Sequence, residues 1–509
     1  MSHPPLSAED RWFGQHQSNS IARAGLWSTL QANFQAAFAF VSAIVMARLL
    51  DPDDFGIIAL VLVLYNFFSQ VSGFAFSRAL IQNPDLSVQQ ASNFFWLVLS
   101  LSTFFGLGVI ALGPILAGFY DHPELIWLGL GYGLMLVLDG TVVLHRALIQ
   151  RAMRYEVLFW ASLITSPFSL AGGVALALAG AGVYALLAQA IIGGLGMRLI
   201  ILKYVGWQPY AYDRGTRVRS LVRFGGLSFF AQLVDFVYRQ SQVFILGRFA
   251  SVADIGFYNR GQALFQRPLG QLMNPLIQVF FPVLAARQHN PAAVERFILQ
   301  SSWLLAFALI PMLIVVTYAG PQIAILLLGP EWLTAGEVMS CFALVGMLSI
   351  LVKPVSQAFS AMGAPAKALS SRIALLPLFL VSCVWAAPQG AVAVAWIYVS
   401  IIVLNTPLSI FLLLRRSKIR PMPVLLNMLA IIFVTSLTYL GVGQSRIFFD
   451  RFIESETPPL LSMLIALTIA AYLIYYLAGL CLREPRELLL GLVKKIGKLS
   501  RKTSDHCPS

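Results

Sequence analysis

Residues Arg48–Gly56 read RLLDPDDFG, and Arg248–Gly256, 200 residues further on, read RFASVADIG. Arg48, Asp54 and Gly56 recur as Arg248, Asp254 and Gly256, and upstream Gly25 and Ser28 recur as Gly225 and Ser228. Each copy sits between two long apolar runs, so each marks a turn between hydrophobic segments. Both copies occupy the same place in the order of segments. That is the pattern of a membrane protein built from two parallel repeats.

Composition points the same way. Of 509 residues, 58% are hydrophobic and 11% are charged, whereas a soluble chain is about one quarter charged. Only helices and closed barrels pair every backbone polar group in hydrocarbon. The apolar runs last about 20 residues and do not alternate, which selects helices. Spans are expected near 24–49, 56–80, 92–119, 125–148, 157–179, 182–204, 222–249, 255–284, 297–319, 334–361, 368–388, 391–414, 423–443 and 459–482. The expected fold class is therefore an all-α polytopic membrane protein with about fourteen transmembrane helices. Its parts are a leader (1–23), a first lobe of six spans (24–204), a basic linker (205–221), a second six-span lobe (222–414), an appended pair (415–482) and a basic tail (483–509). No loop is large enough for a soluble module, so the formal charge of +13 reads as membrane anchoring and nucleic acid is not an expected partner. The partners this implies are membrane lipids. Cys341, Cys383, Cys481 and Cys507 have no ligand-like spacing, and neither a disulfide nor a metal is expected.

Lys and Arg distribution orients the chain. With the N-terminus inside, all but eight of the 35 basic residues fall at inner ends, Arg146 and Arg198 among them. Arg48, Arg248, Arg446 and Arg451 fall outside, and both termini are expected in the cytoplasm. The remaining four, Arg239, Arg260, Arg267 and Lys353, lie within spans.

A charge at the bilayer centre costs about 2.5–3.5 kcal/mol on the insertion scale, so such residues mark protein-facing or water-facing surfaces. At about 100° per residue, Arg260, Arg267, Gln271, Asn274 and Gln278 make a stripe roughly 60° wide, with Phe265, Leu269, Leu272, Met273, Leu276 and Phe280 opposite. The stripe either hydrogen-bonds to neighbouring helices or lines a polar route, and Arg260 is shallow enough to reach a headgroup. Arg239, which lies four residues after Asp235 and can pair with it, and Lys353, which can reach the inner headgroups, join Arg260, Arg267, Gln271, Asn274 and Gln278 as the candidate substrate-binding residues of a cavity. Asp139 has no basic residue one turn away. It is a protonated core acid, the partner of an arginine in the other lobe, or a proton carrier.

The motifs "ARLLDPDDFGIIA" from Ala47, "ALIQ" from Ala79, "LIQRAMRY" from Leu148, "GRFASVADIGFYNR" from Gly247, "FPVL" from Phe281 and "LLGPEW" from Leu327 resemble the polysaccharide transporter family. These are bacterial flippases of lipid-linked oligosaccharide, of the O-antigen type. The family belongs to the multidrug/oligosaccharidyl-lipid/polysaccharide exporter superfamily. The resemblance implies two lobes around a central cavity, alternating access and no enzymatic step. It implies as substrate an undecaprenyl-diphosphate-linked repeat unit moved to the periplasmic leaflet of the inner membrane, for exopolysaccharide, capsule or O-antigen synthesis. Polysaccharide polymerase and export machinery are the implied partners. No cofactor is expected beyond a proton or sodium gradient, for which Asp139 and Asp235 are the candidate carriers. Members often carry Asn and Asp before the "GR" at Gly247, where this chain has Gln240 and Gln242, so that acid's role is not carried over. Two alternatives are a multidrug antiporter of the same superfamily, which would favour acids over these bases, and a membrane glycan polymerase or ligase, which would need a larger outer loop.

The orientation is testable. Single cysteines at Ser87, Asp213 and Asn290 should be shielded from an impermeant thiol reagent in intact cells, and those at Asp53, Asp121 and Ser455 should react. Labelling of Asp213→Cys from outside would overturn the orientation.

Overall fold

The computed structural model describes residues 12, 21–74, 87–213, 236–285, 290–361, 365–415, 420–452 and 460–480. Among these the chain forms fourteen α-helices and no strand. They are α1 (Ile21–Ala47), α2 (Pro52–Ser69, extended by a π turn at Gln70–Phe74), α3 (Val88–Tyr120), α4 (Glu124–Arg151), α5 (Tyr155–Leu178), α6 (Val183–Val205) and α7 (236–249). There follow α8 (Val252–Ala285), α9 (Pro291–Leu328), α10 (Leu333–Ala361), α11 (Pro365–Ala386), α12 (Ala391–Arg415), α13 (Pro421–Phe452) and α14 (Leu460–Leu480). Eleven helices among the described residues are long and apolar enough to cross a membrane. α8 is long enough, at 34 residues, but too polar to be one of them.

The two turns quoted first explain where their helices start. α2 begins four residues before the expected 56 because Pro52 fits the first helical position and Asp53 and Asp54 complement the helix dipole. α8 begins at Val252 because Ser251 and Asp254 cap it reciprocally: the Asp254 N–H donates to Ser251 Oγ (3.1 Å) and the Ser251 N–H to Asp254 Oδ2 (3.3 Å).

By internal contact the chain forms two compact units, Met1–Arg260 with Leu327–Trp332 and Cys383–Val394, and Gly261–Leu326 with Leu333–Ser382 and Ala395–Ser509. In the first unit α2 and the start of α8 cross at their glycines. A Cβ on Gly56 would strike the Val252 carbonyl, and one on Gly256 the Pro52 carbonyl. The contact is reciprocal across the 200-residue repeat. The two aspartates serve equivalent ends: Asp54 accepts from the Val183 N–H at the start of α6, and Asp254 Oδ1 accepts from the Ala391 N–H at the start of α12 (2.8 Å). Each helix start follows a glycine at positive φ, Gly182 (54°) and Gly390 (94°), a backbone that side chains disfavour. Both acids thus accept from N–H groups that have no partner within their own helix.

The repeated arginines also hold this end of the unit. Arg48 Nε donates to the Leu327 carbonyl (2.9 Å), and Arg248 lies over the Phe119 ring (5.3 Å). Trp332, fully buried, donates from Nε1 to the Ala47 carbonyl (3.0 Å) and packs edge-on against Phe55 and Phe257. At the other end, residues after α6 are tied along the start of α3. Asn93 exchanges hydrogen bonds with the Asp213 backbone (2.6 and 2.8 Å), and Trp96 Nε1 donates to the Tyr210 carbonyl (2.8 Å). The rest of the expected linker, Cys481, the basic tail with Cys507, and most of the leader lie outside the described residues.

Small residues bring the hairpins together. α3 and α4 touch at Gly113 and Gly129, and in the second unit α9 and α10 touch at Gly320 and Gly336. In that unit α13 and α14 pack on α9. Tyr318 stacks on Tyr439 (4.6 Å) and donates to its carbonyl (3.0 Å), and Tyr472 donates to the Ala308 carbonyl (2.8 Å).

The glycine crossing generates a stability prediction. Gly56→Ala and Gly256→Ala meet backbone, which cannot move aside as a side chain can, and should each cost about 1–3 kcal/mol. Gly118→Ala, with nothing within 4 Å of the new methyl, is the control. Thermal unfolding of the purified protein should give lower midpoints for the first two. Equal midpoints for Gly56→Ala and Gly118→Ala would remove the crossing as a tight contact.

Candidate functional site

α8 carries the polar stripe on an unbroken helix that runs through Pro268 and Pro275. Its packed face is that of Gly261, Phe265 and Leu269. Gly261 lies against Ala335 and Val338 of α10, Phe265 stacks with Phe342, and Gly346 receives both Phe265 and Leu269. Met273 and Phe280 continue this buried face. Leu272 corrects the expectation, being 47% exposed, so the packed face is narrower than the angular count implied. Away from α10, Arg267, Gln271 and Asn274 are exposed. The helix continues through Gln278, whose side chain lies outside the described residues.

Arg260 is half-buried. Its guanidinium lies over the Phe55 ring of α2 (4.1 Å), a cation–π contact within the first unit rather than a free reach to a headgroup. Arg239 on α7 and Lys353 on α10 are exposed. Asp235, the expected partner of Arg239, lies outside the described residues.

Asp139 has a partner, and it is in the same half of the chain. Arg198 of α6 donates from Nη2 to Asp139 Oδ1 (2.7 Å) and to the Met135 carbonyl (3.0 Å). The hydroxyl of Tyr65 on α2 donates to Asp139 Oδ2. The expectation of a partner in the other lobe is thereby corrected. Arg198 is 4% exposed, and its Nε and Nη1 have no acceptor among the described residues.

Beside this pair lies a cavity of about 450 Å³ among α1, α4, α5 and α6. Its polar wall includes Gln35 and Ser42 of α1, Arg146 of α4, Ser162 and Ser166 of α5 and Gln189 of α6. Two amides tie α1 to the other helices: Gln35 Nε2 donates to Ser162 Oγ (3.0 Å), and Gln189 Nε2 to Ser42 Oγ (2.6 Å). α5 and α6 approach closely, since a Cβ on Gly173 would crowd Gln189 and one on Gly193 would crowd Ser169. Arg146 and Arg198 were read from sequence as inner-end anchors. Arg198 is buried and Arg146 lines the cavity. The available signal was Arg146 lying two turns from Asp139, on the same side of α4.

The arrangement is one of donors and a polar cavity within a membrane helix bundle, suited to holding and passing a polar group. Comparisons with known proteins give the family. Residues 45–337 match the family described as polysaccharide biosynthesis protein. The succinoglycan biosynthesis transport protein ExoT of Rhizobium meliloti is 25% identical over 329 residues, covering 64% of this chain and 66% of ExoT, just under two thirds of its length. The teichuronic acid biosynthesis protein TuaB of Bacillus subtilis is 24% identical over 344 residues, covering 65% and 69%. Among solved structures, lipid II flippase MurJ in an inward closed conformation has a TM-score of 0.59 at 14% identity, covering 89% of this chain and 98% of that one. At that identity the likeness is one of fold. With its all-helical architecture and a family match over more than half its length, the chain is a multi-pass membrane protein that belongs to the polysaccharide biosynthesis protein family.

Proposed function

We propose that the chain is a flippase that moves undecaprenyl-diphosphate-linked oligosaccharide repeat units from the cytoplasmic to the periplasmic leaflet of a bacterial inner membrane. The product would feed synthesis of exopolysaccharide, capsule or O-antigen. Both termini are cytoplasmic in this reading, which the distribution of Lys and Arg supports. The observation that carries it is Arg267, exposed on the side of α8 away from the packing with α10, with Gln271 and Asn274 continuing the same face. A diphosphate presents acceptor oxygens that a guanidinium binds through its planar fork of donors, and amides suit sugar hydroxyls. No bond breaks, so the protein is no enzyme in this reading. It needs a shielded polar route and two access states whose balance a ligand or ion biases. The relatives' names, for succinoglycan and teichuronic acid synthesis, support a polysaccharide precursor as cargo, with polymerase or export machinery downstream.

The headgroup role is tested at Arg267. Arg267→Ala should insert and fold normally yet lose most flipping of lipid-linked oligosaccharide in vesicles, and Arg267→Lys should recover part, since charge returns without the fork. A well-expressed Arg267→Ala protein flipping at the wild-type rate would sink the role.

Coupling is tested at the acids. A proton or sodium gradient is the proposed drive, with Asp139 and Asp235 as carriers. Asp139→Asn or Asp235→Asn should abolish the dependence of transport on an imposed proton gradient. Because Asp139 pairs with a buried arginine, Asp139→Asn takes that charge's partner away, and its folded yield is measured beside its transport. Unchanged gradient dependence in both Asn variants would remove these acids as proton carriers.

A further inference from the structure

Trp12 lies in the leader, nine residues before α1 begins at Ile21, and the first residues of a chain are poorly ordered unless something ties them down. Here the tie is a built seat. The indole is 1% exposed, its Nε1 donates to the Val205 carbonyl at the end of α6 (2.9 Å), and its ring meets Tyr204 edge-on (6.1 Å). Arg154, at the turn from α4 to α5, lies over the same ring (5.8 Å) and donates from Nη1 to the Tyr204 hydroxyl (3.0 Å). Trp12 belongs to an apolar core cluster whose other buried members all lie between Ala91 and Trp207, on α3 to α6 and the residues joining or following them. A residue of the leader thus completes a core built by helices that come two spans later in the chain.

We propose that the leader is a tether with Trp12 as its peg, and that it limits how far the near end of α1 can move from α4 and α6. α1 is the helix that needs such a limit. After Ala24 none of its residues is buried until Ser42, whereas α4 buries residues from Leu125 to Ile149. It leans on α5 through rings, Trp27 and Phe34 on Phe159 (5.4 and 5.9 Å), and reaches Ser162 and Gln189 by one hydrogen bond each. Elements with few buried apolar contacts are the ones that open locally. The far end of α1 is fastened, since Met46 and Ala47 are buried and the Ala47 carbonyl accepts from Trp332. Movement of α1 is therefore greatest at the end that the leader joins.

That movement has a consequence for the cavity. α1 forms one wall of it through Gln35, Phe38, Ala39 and Ser42, and α4 and α6 contribute Arg146 and Gln189. The peg is seated at the ends of α4 and α6, so the tether joins one wall to two others and its length sets how wide that side can open. Nine residues reach at most about 30 Å when fully extended, which lets α1 move and caps its excursion. Trp12 serving only to fill the core is the competing role. Slack separates the two, because residues added between peg and helix leave the core whole.

The test uses the full chain with Cys341, Cys383, Cys481 and Cys507 replaced, and spin labels on Leu26→Cys of α1 and Leu199→Cys of α6, both exposed. Pulsed electron paramagnetic resonance reads the distribution of distances between them. Insertion of about ten Gly and Ser residues between Gln17 and Ser18 roughly doubles the tether and should shift the long-distance edge of the distribution outward. The same insertion between Ser7 and Ala8 lengthens the leader but not the tether, and should leave the distribution of the parent protein. Trp12→Ala should shift the edge outward as well. Where that variant does not fold, the two insertions decide, because both keep the seat filled. An unchanged distribution after the insertion at Gln17, equal effects of the two insertions, or a folded Trp12→Ala protein with the parent distribution would each overturn the tether. The labels report on α1 without any cargo, so the result stands apart from the flippase reading.

Discussion

Two backbone carbonyls, of Pro52 and Val252, occupy the space where residues 256 and 56 would carry side chains. This reciprocal crossing of α2 and α8 is the contact on which the first unit depends. Because no side chain separates the helices there, Asp54 and Asp254, two residues before the glycines, sit where they can accept from the first N–H groups of α6 and α12. The first N–H groups of a helix have no partner within it, and at each repeat a carboxylate held by the crossing supplies one. Arg48, Arg248 and Trp332 then bind carbonyls and aromatic faces around it. One glycine, one acid and one arginine per repeat thus organise a helix end each.

How much of this could be read in the sequence follows from where the repeat keeps its register. Arg48, Asp54 and Gly56 kept an offset of 200 and were visible. Gly113 and Gly129 recur as Gly320 and Gly336 at 207, and Gly182 recurs as Gly390 at 208. Small insertions between the segments broke the fixed offset, so the glycine contacts of the two hairpins could not be found by alignment of the chain with itself. Glycine is also common enough in membrane helices that its role is visible only when the partner carbonyl is known.

Side-chain direction was legible where one helix sufficed. The 100° rule placed Phe265, Leu269, Met273 and Phe280 on the buried side of α8 and Arg267, Gln271 and Asn274 away from it. It failed at Leu272, because an angle gives a direction and says nothing of how wide the neighbouring helix is. Arg146 and Arg198 were missed for a different reason. A basic residue one or two turns from an inner helix end has the same sequence signature whether it anchors to headgroups or turns inward. The topological rule counts both alike, and only a partner such as Asp139 separates them.

That partner also decides what the interior tolerates. A carboxylate among α2, α4 and α6 needs donors for its oxygens. The Arg198 guanidinium at 2.7 Å and the Tyr65 hydroxyl both donate to Asp139. The cost moves to Arg198, whose other donors remain unmet by described residues. A half-satisfied polar network in low dielectric is unfavourable unless something completes it, and the polar cavity beside Gly194 is open to such a group. Asp139 is about a third exposed while Arg198 is almost wholly buried, so the carboxylate is the member that water reaches.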